Sequence, residues 1–309
     1  MGGISCYAVG MTTHLTIMVF PGTQTLPLFA ALANGSFERR GLTIDLKPAP
    51  NSEEQRRGLA EGRYQIVHGA ADQCVALVDS GTDAIIAAGG DNGFNHLFVQ
   101  PEISNLNELR GRTLVADVAN TGWSFVLYDI LRQHGLNRGN YMIYEAGAPF
   151  RRCAAMRGDK TMAAAILNPP FAIHARRAGL KDMGPVADQV GAYLGTVPYV
   201  LRGWAAANAG VLTEYLAACV EGLRWILDPA NQEKAVALVA ERLDVPADIA
   251  AEIVTIAIDT KNGLTKDAAF DLEGLKTVLR LRASSEGREP PAPDRYFDLA
   301  YHRAALAAL

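Results

Sequence analysis

The stretch that decides the architecture opens Leu15-Thr16-Ile17-Met18-Val19-Phe20, breaks at Pro21-Gly22-Thr23-Gln24-Thr25, and continues from Leu26 through Asn34 to Gly35. It resumes at Leu42-Thr43-Ile44-Asp45-Leu46. The first run is a strand candidate, and proline and glycine then turn the chain. Residues 26–34 read as a helix, with Gly35 as the stop signal just past its end. Residues 42–46 alternate Leu, Ile and Leu with Thr and Asp, as a half-buried strand does. Strand, helix and strand in succession is the alternation of an α/β fold.

The alternation extends outward from there. Ser52, followed three residues on by Gln55, has the look of a capping box opening a helix. Strands are expected at 65–68, 83–88 and 96–100, with a helix over 70–80 closed by Gly81. A second, similar pass follows: strands at 112–116, 141–145, 162–167 and 197–201, with helices at 106–109, from Asn120-Thr121-Gly122 to about 134, at 149–157 and at 169–178. From about 209 onward the spacing turns helical (212–227, 231–243, 246–258, 272–285), and a proline-rich linker over 286–293 precedes a last helix at 298–309. The simplest assembly puts residues 1–95 and 201–309 in lobe one and 96–200 in lobe two. The helical tail then packs back on lobe one, and strands near 96 and 200 cross between the lobes as hinges. A single core stops growing at roughly 250–300 residues, so a chain of 309 residues favours two. Ligands of open α/β sheets bind beyond the carboxyl ends of the strands, which here face each other across a cleft.

Composition narrows the functions. Hydrophobic residues make up 49% and charged residues 20%, and the net charge of −4 offers nothing to a nucleic acid. Cys6, Cys74, Cys153 and Cys219 lie far apart with no C-x-x-C pair and read as small buried hydrophobes. The six histidines are scattered, so no metal site is expected. No G-x-S-x-G, P-loop or dinucleotide fingerprint occurs, and neither a catalytic set nor a cofactor is expected. The N-terminal residues carry neither the basic nor the apolar region of a secretory leader. The expected location is therefore periplasmic if a leader has been removed and cytoplasmic if the chain is complete.

Several segments in order carry a family resemblance. They are residues 26–42 with their Gly-x-Phe turn and Gly41-Leu42, Gly58 to Val67, Leu109-Arg110-Gly111-Arg112-Thr113-Leu114, and Gly158 to Phe171. Gln65 and Met162 stand where the family usually has Asp. The chain resembles the substrate-binding proteins of ABC importers for sulfonates, taurine, nitrate and thiamine-pyrimidine precursors, over nearly its whole length. The resemblance implies a type II periplasmic-binding-protein fold, two α/β lobes hinged around a ligand cleft. It implies capture of one small, anionic organic molecule (sulfonate, carboxylate or heterocyclic acid) and an ABC permease as partner. The alternative is an enzyme on the same scaffold, a decarboxylase, lyase or pyrimidine-synthase-like protein acting on a small aromatic or heterocyclic acid.

Four loops are expected at the cleft. Thr23, Gln24 and Thr25 offer hydroxyls and an amide, or Thr25 simply caps the helix. His68, Gly69 and Ala70 end a strand where glycine admits close backbone approach, and Asp72 complements a helix dipole. Asn120, Thr121, Gly122 and Trp123 open a helix whose free N–H groups favour an anion, with Trp123 to stack on the ligand or pack in the core. Asn168 and Phe171 end the last strand of lobe two as a polar contact and a wall, or as a rigid turn with Phe171 in the core. Arg151 and Arg152 read as a solvated helix face or, as the alternative, as bidentate binders of a ligand carboxylate, and Asp91-Asn92-Gly93 as a turn near the hinge.

Overall fold

The computed structural model describes residues 12–309. The readings on the N-terminal leader and on Cys6 lie outside those residues. Among the described residues ten strands form two five-stranded sheets. The first contains β1 (Thr13–Val19), β2 (Leu42–Pro48), β3 (Ile66–Ala70), β4 (Ala84–Ile86) and β10 (Thr196–Leu201) in the order β2-β1-β3-β10-β4. The second contains β5 (His96–Val99), β6 (Thr113–Ala116), β7 (Met142–Glu145), β8 (Met162–Leu167) and β9 (Lys181–Pro185) in the order β7-β6-β8-β5-β9.

Each sheet is built the same way. Three parallel strands joined by helices form one side, with Thr13 opposite Leu42 and Thr113 opposite Met142. The strand that arrives from the other lobe then enters antiparallel as the fourth: β5 beside β8, and β10 between β3 and β4. Thr196–Leu201 was expected at the end of lobe two and instead completes the first sheet. Its buried Val197, Tyr199 and Val200 fill the gap between β3 and β4, a pairing that local periodicity does not encode. The strand Lys181–Pro185 carries no readable pattern, because it is a half-buried edge strand containing lysine, glycine and proline.

The helical tail is only partly where it was expected. The helix Ala209–Leu227 packs on Leu26–Ala33 of lobe one, and the last helix, Ala300–Ala307, packs on Ala209–Leu227. The helix Leu272–Glu286 packs on both lobes, against Ala71–Asp79 of one and Gly122–Gln133 of the other. One apolar cluster accordingly runs from Val67 and Val75 through Leu275 and Leu279 to Phe125 and Leu114. Among the described residues no helix is long and apolar enough to cross a membrane.

Candidate functional site

The carboxyl ends of β1, β3, β6 and β8 converge on one cleft between the sheets. Its lining includes Phe20 and Gln24 after β1, His68 to Ala70 at the end of β3, Asp117 after β6, and Asn168 after β8. Trp123, Pro149 and Arg152 add the starts of two lobe-two helices, and Asp91, Phe94, Asn95 and Thr196 come from the segments joining the lobes. The free space inside is about 50 Å³, so the lobes stand closed on one another.

Three side-chain contacts cross the cleft itself, and outside it Arg176 and Arg177 pair with Glu252 and Asp248, and Lys261 with Asp188. Ser52 Oγ in lobe one donates to Asp117 Oδ2 in lobe two. Asn168 Nδ2 donates to Gln24 Oε1 at 3.4 Å, and Thr23 Oγ1 to the Pro169 carbonyl at 3.5 Å. Ser52 is therefore not the expected helix cap. Asn51 takes that role, its side chain accepting from Glu54 N at 2.8 Å, which frees the serine to reach across the cleft.

The cleft's polar groups are unusually under-used. Asp117 Oδ1, Arg152 Nε and Asn168 Oδ1 are buried and have no partner. Arg152, read from sequence as a solvated residue, is 4% exposed and donates from Nη1 to the Ile166 carbonyl at 2.6 Å. Only Arg151 is exposed as expected, lying against Phe150. Helical periodicity missed Arg152 because the face it occupies abuts β8 and the cleft rather than water. Burial pushes its pKa down and the charge of Asp117 holds it up.

Two further titratable groups sit at the cleft. His68 Nε2 bonds the Tyr215 hydroxyl at 2.8 Å, and burial pushes its pKa down to about 4, leaving a neutral ring at pH 7. Asp91 accepts from Gly93 N at 2.7 Å and Thr196 N at 3.1 Å, tying the two inter-lobe segments together. Burial pushes its carboxyl up to about 6 despite those bonds. The Asp91–Gly93 bond is the expected turn, and the Thr196 bond is its unforeseen addition.

Of the twelve candidates, the structure gathers Gln24, His68, Gly69, Ala70, Trp123 and Asn168 around the cleft. Trp123 packs against Tyr193 with the rings tilted by 36° and their centroids 4.8 Å apart. The other six lie elsewhere. Thr23 is buried against Pro169, and Thr25 Oγ1 turns back to the Phe20 carbonyl. Asn120 is exposed and lines a separate groove. Thr121 spends its hydroxyl on the Val118 carbonyl. Gly122 presses against Asp72 of lobe one and Tyr193 of the segment leading back to it, so the helix start meets protein rather than open cleft. Phe171 packs with Phe150 and the lobe-two core. Asp72 is no mere dipole complement: it is fully buried in a bidentate pair with Arg282, both bonds 2.8 Å. Sequence reading also missed Ser52, Asp91 and Asp117 as cleft residues, and held Arg152 there only as an alternative. For Asp117 a signal existed, since it directly follows a strand at its carboxyl end. Among the described residues no His, Cys, Asp or Glu cluster is placed to hold a metal ion.

Comparisons with known proteins agree with this architecture. Residues 22–232 match the family described as NMT1/THI5 like. A search of curated protein sequences returns no match. The periplasmic nitrate-binding protein NrtA from Synechocystis superposes with a TM-score of 0.81 at 13% identity, over 96% of this chain and 89% of that one. The periplasmic aliphatic sulphonate binding protein SsuA from Escherichia coli gives 0.73 at 14%, over 92% of each. A Candida albicans protein described as having the generic periplasmic binding protein fold gives 0.72 at 12%, over 96% of this chain and 95% of that one. At such identities the likeness speaks for the fold, which is that of the periplasmic binding proteins.

Proposed function

We propose, from the premise that this chain belongs to the NMT1/THI5-like family, that it is a solute-binding protein which traps one small organic molecule between its lobes for an ABC permease. Such a role places it outside the cytoplasmic membrane, as its structural neighbours NrtA and SsuA are described. The observation that carries the reading is the meeting of three buried, unpartnered polar atoms, Asp117 Oδ1, Arg152 Nε and Asn168 Oδ1, in one inter-lobe cleft. Buried polar groups are nearly always paired, and a shared ligand is the economical partner for three such residues that line one space. A cleft of about 50 Å³ requires the lobes to part for entry, and few side-chain bonds cross the cleft itself.

The charges refine the solute. A free anion has one guanidinium to meet, Arg152, and two carboxylates to avoid, Asp91 and Asp117. A heterocyclic acid or amphoteric heterocycle satisfies all of them: an acceptor edge toward Arg152, ring N–H or amino groups toward Asp117 and Asn168, and a flat face against Phe20, Phe94 or Trp123. Among the classes considered from sequence, this one fits better than a plain sulfonate or carboxylate.

The test is a thermal-shift screen of alkanesulfonates, nitrate, simple carboxylates and amino-substituted nitrogen heterocycles, with mass analysis of each hit after incubation. A bound solute raises the melting temperature by mass action. The heterocycles are expected to stabilise the protein most and to be recovered unchanged. A hit that disappears on incubation replaces this reading with a catalytic one, and a response confined to sulfonates or nitrate removes the heterocycle.

A further inference from the structure

Behind the cleft lies a second cavity of about 40 Å³, wholly within lobe one. Gln24, His68 and Thr196 line both spaces and form the wall between them. Beyond that wall the lining is apolar: Leu28, Ala88 and Pro198 on the sheet side, and Leu216, Cys219 and Leu223 on the helix Ala209–Leu227.

Three of the polar side chains bordering the chamber are engaged. Gln24 Nε2 donates to the Phe20 carbonyl at 2.8 Å, His68 Nε2 bonds Tyr215, and His302 Nε2 donates to the Asp267 carbonyl at 2.8 Å. The cavity has more room than one water needs, yet a buried water wants two to four polar partners, and the side away from the cleft is lined mainly by apolar side chains. Packed cores do not keep such voids without loss of stability, and a larger side chain at Ala88 or Cys219 would fill this one.

We infer that this chamber is an apolar subsite of the cleft, which receives a short alkyl substituent of the bound solute between Gln24, His68 and Thr196. For the identity of its occupant the inference rests on the solute-binding reading above; the chamber's affinity for apolar matter does not. The solute's polar ring lies over Asp117, Arg152 and Asn168, and its substituent points into lobe one. Solutes differing only in that substituent are then told apart by lobe one alone.

Two arms test this on the full chain. In the first, xenon is equilibrated with the protein and followed by NMR. Shifts are expected for the Leu28, Leu216 and Leu223 methyls, and their loss in Cys219→Leu, whose thermal melt is recorded to establish that it folds. Absence of a xenon response in the wild-type chain overturns the chamber. In the second, calorimetry compares an aminopyrimidine with its methyl and ethyl derivatives at one ring carbon. Affinity is expected to rise roughly fourfold per added carbon in the wild-type chain, and the ethyl-to-parent ratio to collapse toward one in Cys219→Leu. The same ratio in both proteins overturns the subsite while leaving the solute class intact. A xenon response with no pyrimidine bound keeps the chamber and removes the solute class.

Discussion

Asp117 carries the polar logic of the cleft. One oxygen accepts from Ser52 across the gap and the other is buried without a partner. If that free oxygen meets the solute, Asp117→Asn weakens binding by about 10- to 100-fold in calorimetry, the span for losing a charge-assisted bond. A change of less than about twofold would assign the carboxylate to Ser52 alone. His68 makes a second prediction. Its folded pKa of about 4 lies below the ordinary 6.5, so between those values the unfolded chain takes up a proton that the folded chain refuses. Stability is therefore lost as pH falls from about 6.5 to 4, by roughly 2–4 kcal/mol. Asp91 acts in the opposite sense: its carboxyl, pushed from 3.8 up to about 6, is protonated first in the folded state, which gains stability as pH falls through that window. His68→Gln removes only the first effect, so urea unfolding should show the variant gaining on the wild-type chain as pH drops from 6.5 to 4. A constant difference across that range contradicts the assignment.

At the scale of elements, two helices set the distance between the lobes. Gly122 opens the helix Gly122–Gln133, and a Cβ there would lie 2.6 Å from Asp72 Cβ and 2.9 Å from the Tyr193 hydroxyl. Gly122→Val must push that helix start away from lobe one. Small-angle scattering is expected to report a larger radius of gyration for the variant, and solute affinity is expected to fall. An unchanged radius would mean that the contact yields locally. The helix Leu272–Glu286 is pinned beside it by Arg282, whose guanidinium holds the fully buried Asp72. Arg282→Met strands that carboxylate and should cost about 3–5 kcal/mol in urea unfolding. Adding Asp72→Asn to it should recover most of the loss, because the penalty is the unpaired charge rather than the missing bridge.

At the scale of the molecule, two sheets of like construction exchange one strand each, β5 leaving the first unit and β10 returning to it. That exchange brings four strand ends to a single cleft and leaves Asp91 and Thr196 side by side where the chain crosses. Alternation of strand and helix, the helical tail, and the glycine and proline punctuation were all legible in the residues, because hydrophobic period and turn chemistry act over a few neighbours. The loops after β1, β3 and β8 were legible as cleft loops for the same reason: a strand end is a local feature. Which side chains of those loops face the cleft was not. Thr121 and Thr25 spend their hydroxyls on nearby carbonyls, while Ser52, Asp117 and Arg152 reach the cleft only because distant segments meet there, 65 residues apart for Ser52 and Asp117 and 144 for Gln24 and Asn168. The sequence by itself determined the kind of molecule and its strand-end loops. The tertiary structure alone decided where β10 pairs, which polar atoms stay unpaired and that an apolar chamber opens behind them, since each depends on packing between parts of the chain that no local pattern connects.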